Sequence, residues 1–252
     1  YIRSEQYVLA TEAYEKALHI NHVNEGFYNP DQTTIRDGLT EGYLGLQDIE
    51  QANLHQDAQV YAKQRRLGAN SPEVIEALTR LGRWYDRSGQ AEQARFAYQN
   101  AVRLLEKADG DNSRTRIDLL LEIADTYRAQ ALLPPDPDSV HTPASLLSTS
   151  SITLQNALDI VEQEQPPAPS QRARILVELG DLYVIWGKRN TAATRYKDAW
   201  QALSANPDLE TLRDQYFAEP SRIVGPSVPT IFPVPSRNSP PPAKKDLEPG
   251  FV

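Results

Sequence analysis

The sequence predicts an all-α fold, a solenoid of stacked helical hairpins followed by an extended Pro-rich tail. Three observations carry this. First, two stretches share one pattern: Leu179, Gly180, Tyr183, Gly187, Ala192, Tyr196 and Ala199 stand at the same relative positions as Leu81, Gly82, Tyr85, Gly89, Ala94, Tyr98 and Ala101, with apolar residues recurring at helical spacing. Second, small residues (Gly82, Ala94, Gly180, Ala192) sit where two helix backbones would approach, and tyrosines are available to fill the space between hairpins. Third, Pro and Ser dominate from Pro220 to Pro249, which excludes regular helix and favours extended or irregular chain.

The elements follow in order. Residues 1–30 carry "YVLATEAYEKAL", whose Ala10, Tyr14 and Ala17 read as the second helix of a partial repeat. Residues 35–70 form a weaker copy with Leu46, Ile49, Ala58 and Ala62, in which Gly45-Leu46 stands for Leu-Gly. The copy at 72–106 is the strongest. In the copy at 114–163, Leu120, Ile123, Ala124 and Tyr127 supply the first helix and Leu154 and Ala157 the second. Between them an insertion, 131–148, contains Pro134, Pro135, Pro137 and Pro143 and is expected to project as a loop. The copy at 170–205 follows, then a capping helix at 208–218 bearing Leu209, Leu212, Tyr216 and Phe217. This gives a repeat domain, 1–218, and a Pro-rich linker or docking strap, 219–252. Ile223, Val224, Val228, Ile231, Phe232 and Val234 make the strap more apolar than a pure spacer, so Ile223, Val224, Ile231 and Phe232 are its candidate docking residues.

These residues resemble the tetratricopeptide repeat (TPR), whose usual 34-residue unit has a Leu-Gly-x-x-Tyr helix, a Gly turn and an Ala-x-x-x-Phe/Tyr-x-x-Ala helix. The resemblance implies a right-handed α-solenoid with an extended concave surface lined by first helices. Counted from each Leu-Gly pair, the residues implied to face that groove are Glu76, Thr79, Arg80, Arg83 and Arg87 in the early copy. Asp118, Glu122, Asp125, Glu178 and Asp181 follow in the later ones. One half of the groove leans basic and the other acidic. The Lys and Asn pattern of the family's carboxylate clamp is not reproduced, so chaperone-tail binding is not expected.

Composition narrows the partners. The chain has 252 residues, 40% hydrophobic and 24% charged, with a formal net charge of -8. That balance repels a phosphate backbone, and no Lys/Arg run compensates locally, so nucleic acid is not expected as a partner. No stretch approaches the roughly 20 apolar residues a membrane-spanning helix needs. There is no Cys, which removes disulfides, thiolate nucleophiles and cysteine metal sites together. There is no Met either, so the expected start of the reading frame lies upstream and a removed signal peptide is one source of that difference.

Candidate chemistry is sparse. His19 and His22, three apart on a helix, could seed a metal site with Glu25 or His55; the alternative is a polar helix end entering a turn. His141 lies near Asp136, Asp138 and Ser139, the residue types of a nucleophilic triad, but in a composition that suits a solvated loop. "DGDNSR" at Asp109 to Arg114 lacks the closing Glu of a calcium loop, and no Gly-rich phosphate loop or nucleophile elbow is present. Trp84, Trp186 and Trp200 are expected as packing residues rather than exposed anchors. No catalytic, cofactor-binding or metal residue is therefore assigned, and the expectation is a non-enzyme without cofactors.

The leading functional expectation is a scaffold that binds a partner protein or peptide within a multiprotein assembly, with homo- or hetero-oligomers open. A second reading rests on another resemblance. The order of helical repeats, Pro-rich strap and terminal "DLEPGFV" is similar to periplasmic proteins in which a linker leads into a TonB-like C-terminal domain. It implies the bacterial periplasm or cell envelope, and a TonB-like energy transducer or motor accessory in which the solenoid is a spacer and the tail docks.

Overall fold

A computed structural model of the chain describes residues 6–29, 32–108, 113–134, 139–164 and 168–218. Among these the regular structure is helical: α1 (Tyr7–Glu25), α2 (Thr33–Gly45), α3 (Ile49–Leu67), α4 (Pro72–Arg87), α5 (Ala91–Lys107), α6 (Ser113–Ala131), α7 (Pro143–Gln163), α8 (Pro169–Ile185), α9 (Arg189–Ser204) and the short α10 (Glu210–Tyr216). Each helix packs chiefly on its neighbours in the chain. The pairs α2/α3, α4/α5, α6/α7 and α8/α9 are therefore hairpins stacked in order, with α1 ahead of them as a second helix alone. Two apolar clusters form the core, one built mainly on α4 and α5 and one on α7, α8 and α9. Leu120 of α6 packs against both, which makes the core continuous, as a stack of hairpins requires.

Three hairpin turns share one geometry. Gln90 N–H donates to Tyr85 C=O at 2.8 Å, Lys188 to Tyr183 at 2.8 Å and Asp48 to Tyr43 at 2.9 Å, while Gly89, Gly187 and Gln47 donate to Asp86, Val184 and Leu44, each at 3.0 Å. This is the Schellman arrangement, which needs a left-handed residue just past the helix end. Glycine supplies it at Gly89 (φ 76°) and Gly187 (φ 75°); in the first hairpin Gln47 does so at φ 60°.

That turn corrects the register expected for the 35–70 copy. Gly45-Leu46 lies at the end of α2, and Leu39-Thr40 is the pair that stands where Leu81-Gly82 stands. Leu39, Leu81 and Ile123 are then spaced by 42 residues, longer than the 34 of the usual unit. The extra length goes into helices of 13 to 21 residues in the four hairpins.

With the register set, each hairpin carries a matched pair across its two helices. A methyl built on Gly82 would lie 2.5 Å from Cδ1 of Tyr98, and one on Gly180 would lie 2.6 Å from Cδ1 of Tyr196, so the rings lie directly on glycine backbone. In the first hairpin the same two positions are Thr40 and Gln56, joined by a 3.0 Å hydrogen bond from Gln56 Nε2. In the third they are Ala124 and Leu154, both buried in one cluster. A larger residue in the first helix is met by a shorter one in the second, which keeps packing density level. On the opposite side of the first hairpin, Gly38, Gly42 and Gly45 make a stripe on α2 covered by Tyr14, Thr11 and Tyr7 of α1. Helices that meet on such a stripe approach closely.

The connection from α6 to α7 departs from expectation. The helical part of α7 begins at Pro143, so the residues between the helices are 132–142 and not 131–148. Pro143 occupies the first helical turn, where its missing N–H costs nothing. Thr142 and Ser145 form a reciprocal capping box, with Ser145 N–H to Thr142 Oγ1 at 3.1 Å and Thr142 N–H to Ser145 Oγ at 3.0 Å. Leu146 and Leu147 are buried. Proline here starts a helix instead of excluding one. At the other end, Phe217 past α10 is buried against Tyr196 and Trp200, with ring centroids 6.5 and 5.1 Å away. It closes the last hairpin. Residues 219–252, with Ile223, Val224, Ile231 and Phe232, lie outside the described residues.

Candidate functional site

Because successive first helices lie side by side, their polar faces meet, and charge pairs join them. Arg80 of α4 reaches Asp37 of α2 at 3.5 Å and hydrogen-bonds Gln59 of α3, which itself donates to Asp37 at 2.8 Å. Arg83 of α4 pairs with Glu122 of α6 at 3.4 Å. From α6 to α8, Arg128 binds Glu178 at 2.7 Å and Asp125 on its own helix, and Asp118 binds Arg174 at 2.9 Å. The result is a continuous polar face over α2, α4, α6 and α8.

Of the residues expected to face a groove, Arg83 and Glu122 pair with each other, whereas Arg80, Asp118, Asp125 and Glu178 pair with Asp37, Arg174 and Arg128. Arg83, Glu122, Asp125, Glu178, Asp118 and Arg80 are members of the ladder. Thr79 is half-buried and turns its hydroxyl to Ile75 C=O at 2.9 Å, a bond within its own helix. Asp181 accepts from Tyr196 Oη at 2.7 Å. Glu76 and Arg87 are exposed, and neither forms an ion pair among the described residues. Sequence reasoning missed Asp37, Arg128 and Arg174. Asp37 is visible only with the 42-residue register, and Arg174 shares a register position with Asp118 and Glu76. Arg128 follows Asp125 by three residues, a spacing that places both on one helix face.

Burial decides which of these bonds matter. Burial opposes the charge of Arg128, but hydrogen bonds and attraction from Glu178 and Asp125 outweigh it and raise its pKa. Arg83, Glu122, Arg174 and Asp118 are more exposed, and water screens pairs of that kind. Asp86, close behind the face on α4, has a raised pKa from burial and from repulsion by Asp125.

Of the remaining candidates, His22, His55, Trp84 and Trp186 are held by packing or hydrogen bonds, while His141 and Trp200 are exposed. His22 Nε2 lies 3.3 Å from Gln32 Oε1, which Arg36 also contacts at 3.1 and 3.0 Å. His55 stacks on Tyr43 at 5.5 Å between centroids, and burial first, then Arg36, lowers its pKa to about 4. Among the described residues no group of three or more His, Asp or Glu is placed to hold a metal. His141 is exposed, its N–H bonded to Ser139 Oγ, and Asp136 and Asp138 lie outside the described residues. Trp84 is buried and donates to Asn53 at 2.8 Å, and Trp186 packs on the second core cluster under Lys188; Trp200 departs from expectation, since it contacts Phe217 but stays exposed. Among the described residues no helix is long and apolar enough to cross a membrane.

No protein-family model matches the chain, and no curated protein matches it. Solved structures do. A protein of Podosopora anserina described as a kinesin light chain with nearly identical TPR-like repeats is similar over 80% of this chain and 89% of its own, at 17% identity and a TM-score of 0.55. A singly substituted form of that protein gives the same identity and TM-score over 81% and 90%. BtubC (BKLC) from P. vanneervenii is similar over 81% of this chain and 75% of its own, at 16% identity and a TM-score of 0.52. The chain has the fold of a TPR-like helical-hairpin solenoid.

Proposed function

We propose that this chain is a non-enzymatic protein–protein interaction scaffold that holds a segment of a partner protein on the face of its first helices. The observation that carries the reading is the charge ladder across α2, α4, α6 and α8: it runs over four helices as one continuous polar surface and leaves Glu76 and Arg87 exposed on it. A preformed face of this kind lowers the ordering cost of binding, and its charges set orientation and encounter rate. The similar TPR-like folds support the same class of role.

The test is to recover partners by co-purification with mass spectrometry, then to measure one of them against Arg83→Glu with Arg87→Glu and, separately, Asp125→Lys with Asp181→Lys. At least one double variant should weaken binding about tenfold with helicity kept; melting is measured beside it, because Asp125 and Asp181 also hold Arg128 and Tyr196. Unchanged affinity in both would remove the first-helix face from the interaction.

A further inference from the structure

The opposite face, made by the second helices, carries its own repeated signal. Leu54 of α3, Phe96 of α5 and Ile152 of α7 occupy equivalent positions in three successive hairpins, and they are 58%, 66% and 60% exposed. Single exposed apolar residues need no explanation. The same position left apolar and open in three hairpins does, because neither the core nor the turns require it.

Beside Phe96 the surface opens into a cleft of about 520 Å³ whose floor is Leu78, Leu81 and Tyr85 and whose rim includes Asp57 and Glu92. Asp57 accepts a hydrogen bond from Tyr85 Oη at 2.9 Å. Neither carboxylate forms an ion pair among the described residues, and no Lys or Arg lines the cleft. An apolar floor with two carboxylates and no cation is complementary to a long side chain that is apolar along its stem and positive at its tip. Burial also raises the pKa of Asp57, a cost that a bound cation would relieve.

We infer that the second-helix face is a separate docking surface for a basic amphipathic segment of a partner protein, which lays apolar residues on Leu54, Phe96 and Ile152 and places an Arg or Lys in the cleft between Asp57 and Glu92. This surface lies on the other side of the hairpins from the charge ladder. A scaffold built this way engages two proteins at once.

The probe is a short fluorescent amphipathic peptide of Leu, Ala and Arg, compared with a version in which citrulline replaces Arg, keeping shape and removing charge. Saturable binding is expected, weakened at least tenfold by citrulline, by Phe96→Ser and by Asp57→Asn with Glu92→Gln. The amide introduced by Asp57→Asn can still accept the Tyr85 hydrogen bond, and Phe96 is exposed, so each variant should melt within a few degrees of the parent. Glu76→Lys with Arg87→Glu, at exposed first-helix positions without an ion pair among the described residues, should change binding less than twofold, which separates this surface from the first-helix face. Equal binding of the citrulline peptide, indifference to Phe96→Ser, or loss on the first-helix variant would overturn the inference. So would a concentration-dependent dimer, or adsorption to neutral lipid vesicles, that Phe96→Ser abolishes while the peptide fails to bind.

Discussion

The Tyr98 ring lies against the backbone of Gly82, so closely that a methyl group at residue 82 would overlap it. Tyr98 is fully buried there, which ties the closest approach of α4 and α5 to one aromatic side chain. The third hairpin solves the same contact with Ala124 and Leu154.

Gly82→Ala should therefore destabilise the chain by about 1–2 kcal/mol, since overpacking outweighs the gain in helix propensity. Tyr98→Leu alone should cost about 2–3 kcal/mol through the space it leaves. The two together reproduce the third hairpin's pair. A double-mutant cycle by urea denaturation should show at least about 1 kcal/mol of favourable coupling.

Gln47 is the one described non-glycine residue with positive φ, in a turn where Gly89 and Gly187 hold the same place. Gln47→Gly should stabilise by up to about 1 kcal/mol, because the left-handed strain removed exceeds the added freedom of the unfolded chain. A rise in the urea midpoint with unchanged slope checks it.

This turn also shows what is legible in the sequence. Repeats marked by Gly89 and Gly187 align directly, and so do the helices that follow them. The first hairpin does not, because Gln47, Thr40 and Gln56 replace the Gly, Gly and Tyr that carry the pattern elsewhere, and Gly45-Leu46 offers a false match nearby. Likewise Pro143 reads as a helix breaker when the capping residues Thr142 and Ser145 make it a helix start. The candidate face is legible as a set of positions but not as a ladder. Pairing depends on which residues of neighbouring hairpins come level: the spacing of Arg128 from Asp125 marks their bond within one helix, but nothing in the sequence marks the bond from Arg128 to Glu178 in the next hairpin.

His55 gives the chain an acid-sensitive contact. Its ring titrates near 4 in the folded chain, against about 6.5 when unfolded. Between those values the unfolded chain binds the extra proton, so stability is full above about pH 6.5 and falls as pH drops toward 4. The loss should be about 1–2 kcal/mol, allowing for solvent screening of a half-buried ring. Melting at pH 7 and pH 4.5 should show a smaller difference in His55→Gln than in the parent.

Within the ladder, unequal burial predicts unequal costs. Arg128 is the least exposed cation in it, so Arg128→Gln should destabilise by about 1–2 kcal/mol, since Glu178 and Asp125 lose their shared partner. Arg174→Gln, at a pair open to water, should stay within about 0.5 kcal/mol. Chemical denaturation of the two variants in parallel, at low and high salt, checks both.

The scaffold reading is tested most directly by photo-crosslinking in cells, with a photoreactive amino acid placed at residue 83 or 125 on the first helices and at residue 231 or 232 in the tail. The account predicts a covalent adduct to another protein from the first-helix positions, reduced when Arg87→Glu is added to the residue 83 variant. Adducts from the tail positions alone, with none from residues 83 and 125, would contradict it and make the solenoid a spacer.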